Sequence, residues 1–585
     1  MANNPPVGGS FLIQPTEPSA VFTPEDFSEE HLQTKSTADR FMAEEVLPVV
    51  DRYEQKEDGL ARKLIRQAGD LGLLSILVPE QYDGLEMDLT SQLLVAESVG
   101  GYSSFSVTYG AHSGIGTLPL VYFGTDDQKQ RYLARISSGE LLAAYCLSEP
   151  QAGSDALASL TRATLSDDGS HYVLNGQKMW VSNGGWADFF TVFAKVDGEE
   201  FTAFLVERGF DGVKPGAEEH KMGIRGSSTT ALFLDDVKVP VGNVLGEIGR
   251  GHIIAFNILN IGRLKLGASC VGGCKGVIGE SVRYAKQRKA FGQMISEFGA
   301  IRQKLAESAI RTFVAESVVY RTGGLIDSKL GGVSWEDENA AQSMLGGIEE
   351  YAIECAIAKV VASEALQYVA DEGVQIHGGY GFHQDYAVER CYRDERINRI
   401  FEGTSEINRL LTVGMLLKRA AQDRLPLMAE VMRLVAELAS PIADIAVDQA
   451  GLAAESELVS RAKKIALVST GVAYQKYGAK LEAEQEVVYA IAEIVIAVYS
   501  MESALLRAEK IGSGITRDIT QIAIRDLMLG IVRNAEVVIA NCLEGAKQQQ
   551  YHGILRRLTR YPLVDVVSAR RRIADRLIET ERYAV

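Results

Sequence analysis

The run Arg399-Ile400-Phe401-Glu402-Gly403-Thr404-Ser405-Glu406-Ile407 places one carboxylate between an apolar pair and a glycine, just before a helical pattern. The glycine lets backbone approach closely, and Thr404 and Ser405 can cap the helix that follows. A carboxylate in a partly apolar pocket is disfavoured as an anion, so its pKa rises toward the working pH. A base that removes a weakly acidic carbon-bound proton needs that property. Alone, Glu-Gly-Thr is also an ordinary loop before a helix; other segments of the chain supply the companions such chemistry requires.

Residues 145–155, Tyr-Cys-Leu-Ser-Glu-Pro-Gln-Ala-Gly-Ser-Asp, run from a strand end into a loop of small residues. Backbone N–H groups and the Ser148 and Ser154 hydroxyls can face an anion or a flat polar ring there. Trp180-Val181-Ser182 sets a large aromatic on a strand beside a hydroxyl. Arg288 and Lys289 fall where a helix should end, and Gln375 to Gly381 is a glycine cluster between helices. No G-x-G-x-x-G follows a strand and no G-x-x-x-x-G-K-[ST] occurs, so neither a Rossmann site nor a P-loop is supported. The eight histidines form no H-x-x-x-H pair, and Cys270 and Cys274 lack partners at zinc spacing, so no metal site is expected.

These segments must be positioned by several domains in a chain of 585 residues, roughly four at about 150 residues each. Residues 1–36 read as an arm and 37–140 as helical: Leu60, Leu64, Ala68 and Leu71 recur at helical spacing. Pro79 to Gly84 is a turn, and Ser91 to Gly100 resumes the helical pattern. Between 141 and 246 the period becomes two, with strands at Phe189 to Val196, Phe201 to Val206 and Ala231 to Val239. Asn175-Gly176 between Tyr172-Val173-Leu174 and Met179-Trp180-Val181 predicts a hairpin. Helices return over 247–420 and form a further block over 421–585, beginning at Leu427 and interrupted by Pro441. The fold class is α+β.

A hydrophobic fraction of 46% is that of a soluble globular chain, and a net charge of -17 argues against nucleic acid as a partner. Met1 to Pro6 has neither a secretory nor a transit-peptide pattern, no run of about 20 apolar residues suggests a membrane span, and a cytoplasmic location is expected. The six cysteines read as reduced thiols.

In order along the chain, Pro79 to Gly84, Tyr145 to Asp155, Asn175 to Trp180, Arg288 to Gly292, Gln375 to Gly381 and Arg393 to Thr404 resemble the acyl-CoA dehydrogenase family. The length and the block after about 425 resemble its very-long-chain subgroup. The resemblance implies a helical domain, a central β-barrel or sandwich, a four-helix bundle and an extra helical domain. It also implies FAD held without a Rossmann fold, between the β domain, the bundle and a second subunit. By position, Tyr145, Ser148 and Ser154 would line the flavin and pyrophosphate region, with Ser154 also near CoA. Trp180 and Ser182 would meet the isoalloxazine, and Thr404 and Glu406 would touch FAD. Arg288, Phe291, Phe298, Gln375 and Gly379 would reach the neighbouring subunit's FAD.

Glu402 would then take the α-proton of an acyl-CoA thioester, with Asn260, Arg263 and Gly403 beside the substrate. Relatives that carry the base elsewhere place it just before the arginine matching Arg263; here that position is Gly262. Ala290, Glu406 and Asn260 depart from common family residues. Val107, Ala111 and the small residues from Tyr109 to Gly116 favour a deep cavity and a long acyl chain. That segment offers no cation for a second carboxylate, which speaks against a decarboxylating relative. An electron-transferring flavoprotein as acceptor and a homodimer are implied; an acyl-CoA oxidase using O₂ and a non-catalytic scaffold remain as alternatives. Arg556, Arg557, Arg560, Arg570, Arg571 and Arg572 make the C-terminal end basic, either a solvated face or a weak peripheral membrane contact.

Overall fold

The computed structural model describes residues 6–438, Ile445 and 451–585; Met1 to Pro5 and Pro441 lie outside the described residues. Ser28 caps the first long helix, Glu29–Phe41, which therefore starts within the stretch read as arm. Ahead of it, short 3₁₀ turns lead the chain over the rest of the molecule, with the Phe11 ring 4.7 Å from that of Tyr499. The helices Leu60–Asp70, Leu89–Val99 and Ser103–Gly110 follow, and a π-helical turn, Ala111–Gly116, continues the last of these. π-turns often mark functional sites because the extra residue re-aims neighbouring side chains.

The central sheet has eight strands: β1 (Ala143–Cys146), β2 (Arg162–Leu165), β3 (His171–Ser182), β4 (Phe189–Val196), β5 (Glu200–Glu207), β6 (Val213–Glu218), β7 (Thr229–Pro240) and β8 (Val244–Leu245). Their order is β6-β7-β3-β2-β4-β5-β8, with β1 running parallel to β4. Asn175-Gly176 does not turn the chain into a hairpin. β3 runs on through it, with a register shift against β7 between Leu174 and Gly176. The Asn175 amide is tied to Asp236 on the paired strand, donating to its carboxylate at 2.9 Å and accepting from its N–H at 2.9 Å. Gly176 has φ 155°, and a Cβ there would lie 2.5 Å from Thr161 Oγ1. The dipeptide thus serves a bulge crossed closely by a neighbouring chain.

Four long helices, Gly251–Gln287, Gly299–Leu330, Ala352–His377 and Ser405–Ala421, pack beyond the sheet. The C-terminal block adds Ala453–Tyr477, Gln485–Ile511 and Gly514–Cys542 with shorter helices after them. Gln485–Ile511 is long and apolar enough to cross a membrane, with mean hydropathy 1.6, but 89% of its apolar window is buried inside the protein. It is a core helix. The basic C-terminal end is partly neutralised: Arg570 pairs with Glu307 at 2.5 Å, and Arg572 makes two 2.7 Å bonds to Asp518.

Candidate active site

Glu402 lies on the loop entering Ser405–Ala421, where Glu402 has φ 58° and Gly403 φ 81°. A non-glycine residue in the left-handed region persists only where its surroundings fix it. They do so through the loop carbonyls. The Glu402 carbonyl accepts from Arg263 Nε at 3.2 Å, and that of Gly403 accepts from Lys359 Nζ and Asn408 Nδ2, both at 2.8 Å. Asn408 Nδ2 also reaches the Thr404 carbonyl at 3.0 Å, while Thr404 Oγ1 caps the helix by accepting from Ile407 N–H. Arg263 is held in turn by Asn260 Oδ1 at 2.9 Å.

The fixed loop aims the Glu402 side chain at helix Gly251–Gln287. A Cβ on Gly262 would stand 2.8 Å from Glu402 Oε2 and 3.2 Å from Oε1, so the missing side chain is what gives the carboxylate its room. Oε2 is enclosed and meets no hydrogen-bond partner, and the Glu402 N–H has none among the described residues. Burial pushes the carboxyl up to about 7, against the opposing charges of Arg263, Lys359 and Lys265.

The carboxylate opens on a cleft between the 103–116 segment and helix Gly251–Gln287. Val107, Gly110, Ala111 and Gly114 form one wall, with Leu266, Ile224, Leu366 and Phe401 around them, and Ser182 lines it from β3. The small side chains of the 109–116 segment thus do face a cavity. Tyr109 also lines the cleft, while its hydroxyl donates to the Leu73 carbonyl at 2.6 Å. Lys265, from the adjoining helix, supplies the cation that the 109–116 segment lacks.

Tyr145, next to last in β1, has a buried hydroxyl without a partner among the described residues, and so has Thr191 Oγ1 directly opposite it in the register. Trp180 has φ 59° and sits in the second register shift of β3; it is 56% exposed, so the bulge turns its indole out of the sheet. An orphaned hydroxyl, an outward aromatic face and Ser182 fit a flat ring system with polar edges, as an isoalloxazine requires. Ser148 and Ser154 stand on the loop after β1, Ser148 half-buried and Ser154 exposed. Glu149 anchors this loop: it is buried against Lys178 at 2.6 Å and accepts from the N–H groups of Leu160 and Thr161. Glu406 is exposed in the first helical turn, where its own backbone N–H holds its carboxyl below the usual range.

Arg288, Phe291, Phe298 and Gly379 gather in a second cleft that shares no residue with the first. Lys289–Ala290 and Gln293–Met294 pair as a minimal hairpin, with Phe291 (φ 51°) and Gly292 (φ 86°) at its tip. The Phe291 ring is 97% exposed, and Phe382 close by in sequence to Gly379 is 86% exposed. Gln375 is exposed near the end of Ala352–His377, outside that cleft's lining. Within one chain, therefore, these residues do not meet Tyr145, Trp180 or Glu402.

Sequence reasoning missed Lys265, Lys359 and Asn408. Asn408 follows the cap Thr404 by four residues and Lys265 follows Gly262 by one turn, so helical spacing could have found both. Lys359 sits within an apolar stripe, and nothing local singles it out.

The family models "Acyl-CoA dehydrogenase, N-terminal domain" (28–140), "middle domain" (144–237) and two named "C-terminal domain" (249–416 and 461–557) match the chain. A probable acyl-CoA dehydrogenase of Bacillus subtilis is 45% identical over 99% of this chain and 98% of its own. The very long-chain specific acyl-CoA dehydrogenase of Rattus norvegicus mitochondria is 42% identical over 63% of this chain and 57% of its own. An acyl-CoA dehydrogenase of Bacillus anthracis, solved with FAD, superposes with TM-score 0.97 at 46% identity, covering 99% of this chain and 100% of that one. With this length of agreement on top of the site geometry, the chain belongs to the acyl-CoA dehydrogenase family.

Proposed function

We propose that this protein carries out the α,β-dehydrogenation of long-chain acyl-CoA thioesters to trans-2-enoyl-CoA, with Glu402 as the base. As an acyl-CoA dehydrogenase it is an FAD-dependent oxidoreductase acting on a CH–CH bond. The observation that carries the reading is the Glu402 carboxylate, its enclosed Oε2 without a partner among the described residues, on the wall of an apolar cleft that Ser182 lines from the sheet. Tyr145, Ser148, Ser154, Trp180, Ser182, Thr404 and Glu406 would hold FAD, which when bound accepts the β-hydrogen as hydride.

Glu402 takes the α-proton onto a carboxylate that burial has already made a better base. The uncommitted Glu402 N–H is the donor we assign to the thioester oxygen, where negative charge grows as the α-proton leaves. Asn260 and Arg263 hold the loop from below, and Gly403 gives the turn its left-handed second residue. The small wall residues Val107, Gly110, Ala111 and Gly114 support a long acyl chain. A homodimer is supported by Arg288, Phe291, Phe298 and Gly379 lying apart from the first cleft under an exposed aromatic rim, where a partner subunit's FAD would seat. Electron transfer to an electron-transferring flavoprotein and a cytoplasmic setting complete the proposal.

Anaerobic mixing of the FAD-loaded protein with acyl-CoAs of graded length tests it, with light scattering on the same sample. Flavin bleaching by long-chain thioesters, lost in Glu402→Gln while FAD content is kept, is the expected result. Bleaching that persists in Glu402→Gln would remove Glu402 as the base, a preference for short chains would remove the substrate assignment, and a monomer binding full FAD would remove the dimer.

A further inference from the structure

Lys265 is a lysine 6% exposed, yet it lines the same cleft as Glu402. Its ammonium makes a single long hydrogen bond, to Ser113 Oγ at 3.4 Å, and lies 5.7 Å above the Tyr109 ring. A buried charge held so sparsely is costly unless an opposite charge compensates it. Among the described residues the cleft lining contains one carboxylate, Glu402, which sits over Gly262, one helical turn before Lys265.

We propose that Lys265 is a positioning residue for the reaction: acting through Glu402, it is the cation on the cavity side that keeps the base ionised when an acyl chain dries the cleft. The inference rests on Glu402 as the base.

Of the other groups facing the pair, Arg263 and Lys359 also oppose protonation of Glu402 but are tied to the loop backbone, and the rest are neutral. Arg263 is bonded to the Glu402 carbonyl and Asn260, and Lys359 to the Gly403 carbonyl. His112, on the π-turn, accepts from Ala143 N–H at Nδ1 and lies 3.1 Å from the Ile136 carbonyl at Nε2; burial pushes it down to about 4, so it is uncharged near neutrality. Tyr109 is pushed up to about 12 by burial, and Tyr145 is also raised by burial, so both stay protonated. Lys265 itself is pushed down to about 7 by burial, and Glu402 is the one charge that opposes this. Base and cation, both near 7, therefore titrate as a coupled pair, each proton lost belonging to the pair and not to one residue.

Lys265→Met and Lys265→Gln test the inference, because Gln keeps a donor for Ser113 but carries no charge. Both are expected to move the ascending limb of kcat/KM upward by about one pH unit, and so to lower kcat/KM below that limb about tenfold, since an opposite charge nearby shifts a carboxylate by roughly that much. FAD content should not change. Infrared titration of the Glu402 carboxyl band in the FAD-loaded protein without substrate, assigned against Glu402→Gln, should shift the same way. This titration stands even if no acyl-CoA bleaches the flavin, which separates failure of the inference from failure of the assigned reaction. An unmoved carboxyl titration in both variants, or Gln behaving as wild type while Met does not, would overturn it.

Discussion

At the scale of single residues, the proposed base Glu402 depends on a residue with no side chain. The Glu402 carboxylate occupies the space a Cβ on Gly262 would need, with Oε2, Cδ and Oε1 at 2.8, 3.0 and 3.2 Å. Those atoms are the free end of a flexible side chain, so Gly262→Ala displaces the carboxylate and leaves the backbone in place. A helix-interior Gly→Ala change favours folding by up to about 1 kcal/mol, so thermal stability should hold or rise. A misplacement of about 1 Å can cost on the order of 10²-fold in rate. The expected outcome is kcat lowered by one to two orders of magnitude, as estimated from that relation, with FAD content unchanged. Wild-type kcat in Gly262→Ala would mean that the carboxylate does not need this position. In the parent protein, activity should rise as pH passes about 7 and Glu402 loses its proton, since a base works as the anion.

At the scale of elements, the loop after β1 and the strand β3 are joined by one buried ion pair. Lys178 and Glu149 have side chains 0% and 2% exposed, and Glu149 also accepts from Thr161 Oγ1 at 2.5 Å. Burial works against the Glu149 anion, but the Lys178 charge and these donors hold its carboxyl below the usual range. Lys178→Met strands that carboxylate, a loss that costs roughly 3–5 kcal/mol for a buried pair. Denaturant unfolding should show a deficit of that size together with weakened FAD binding, because Ser148 and Trp180 lie on the two elements the pair joins; unchanged FAD affinity would show that the loop is held by other contacts. This pairing also marks how far the sequence could be read. The Glu402 loop, the cap at Thr404 and the helices around Leu60 and Ile353 follow from local pattern, and so do β4, β5 and β7. Asn175-Gly176 carries the local signature of a turn, but the Asp236 contact and the approach of Thr161, both remote in sequence, make it a bulge. Lys265 escaped notice for a related reason: Gly251–Gln287 is buried along much of its length, so its apolar pattern does not reveal which face borders a cavity.

At the scale of the whole molecule, the C-terminal block, the arm and the bundle share a buried charge network. Arg507, in the core helix Gln485–Ile511, bonds Glu316 at 2.5 Å and Glu25 of the arm at 2.9 Å. Lys275 joins Glu316 at 2.5 Å and Glu97 of the N-terminal helices at 2.8 Å, and the Tyr583 hydroxyl closes the set on Glu316 at 3.0 Å. Every part of the chain except the sheet thus contributes to one cluster, which locks the extension onto the helical bundle. Burial opposes the Glu316 anion, but Arg507 and Lys275 more than offset it and bring its carboxyl from 4.5 to about 2. A carboxyl depressed on folding stabilises the protein above its unfolded value, and that contribution drains away as pH falls toward the folded one. That contribution is fully present at neutral pH and is lost as pH falls from about 4.5 toward the lowered folded value. Arg507→Met removes the larger of the two compensating charges, so the variant should be less stable at pH 7 and its stability should fall less steeply below pH 4.5. Urea unfolding of both proteins across that range measures the difference. Parallel curves displaced by a constant amount would mean that Arg507 stabilises through packing against Phe313, 4.6 Å from its guanidinium, and not through Glu316.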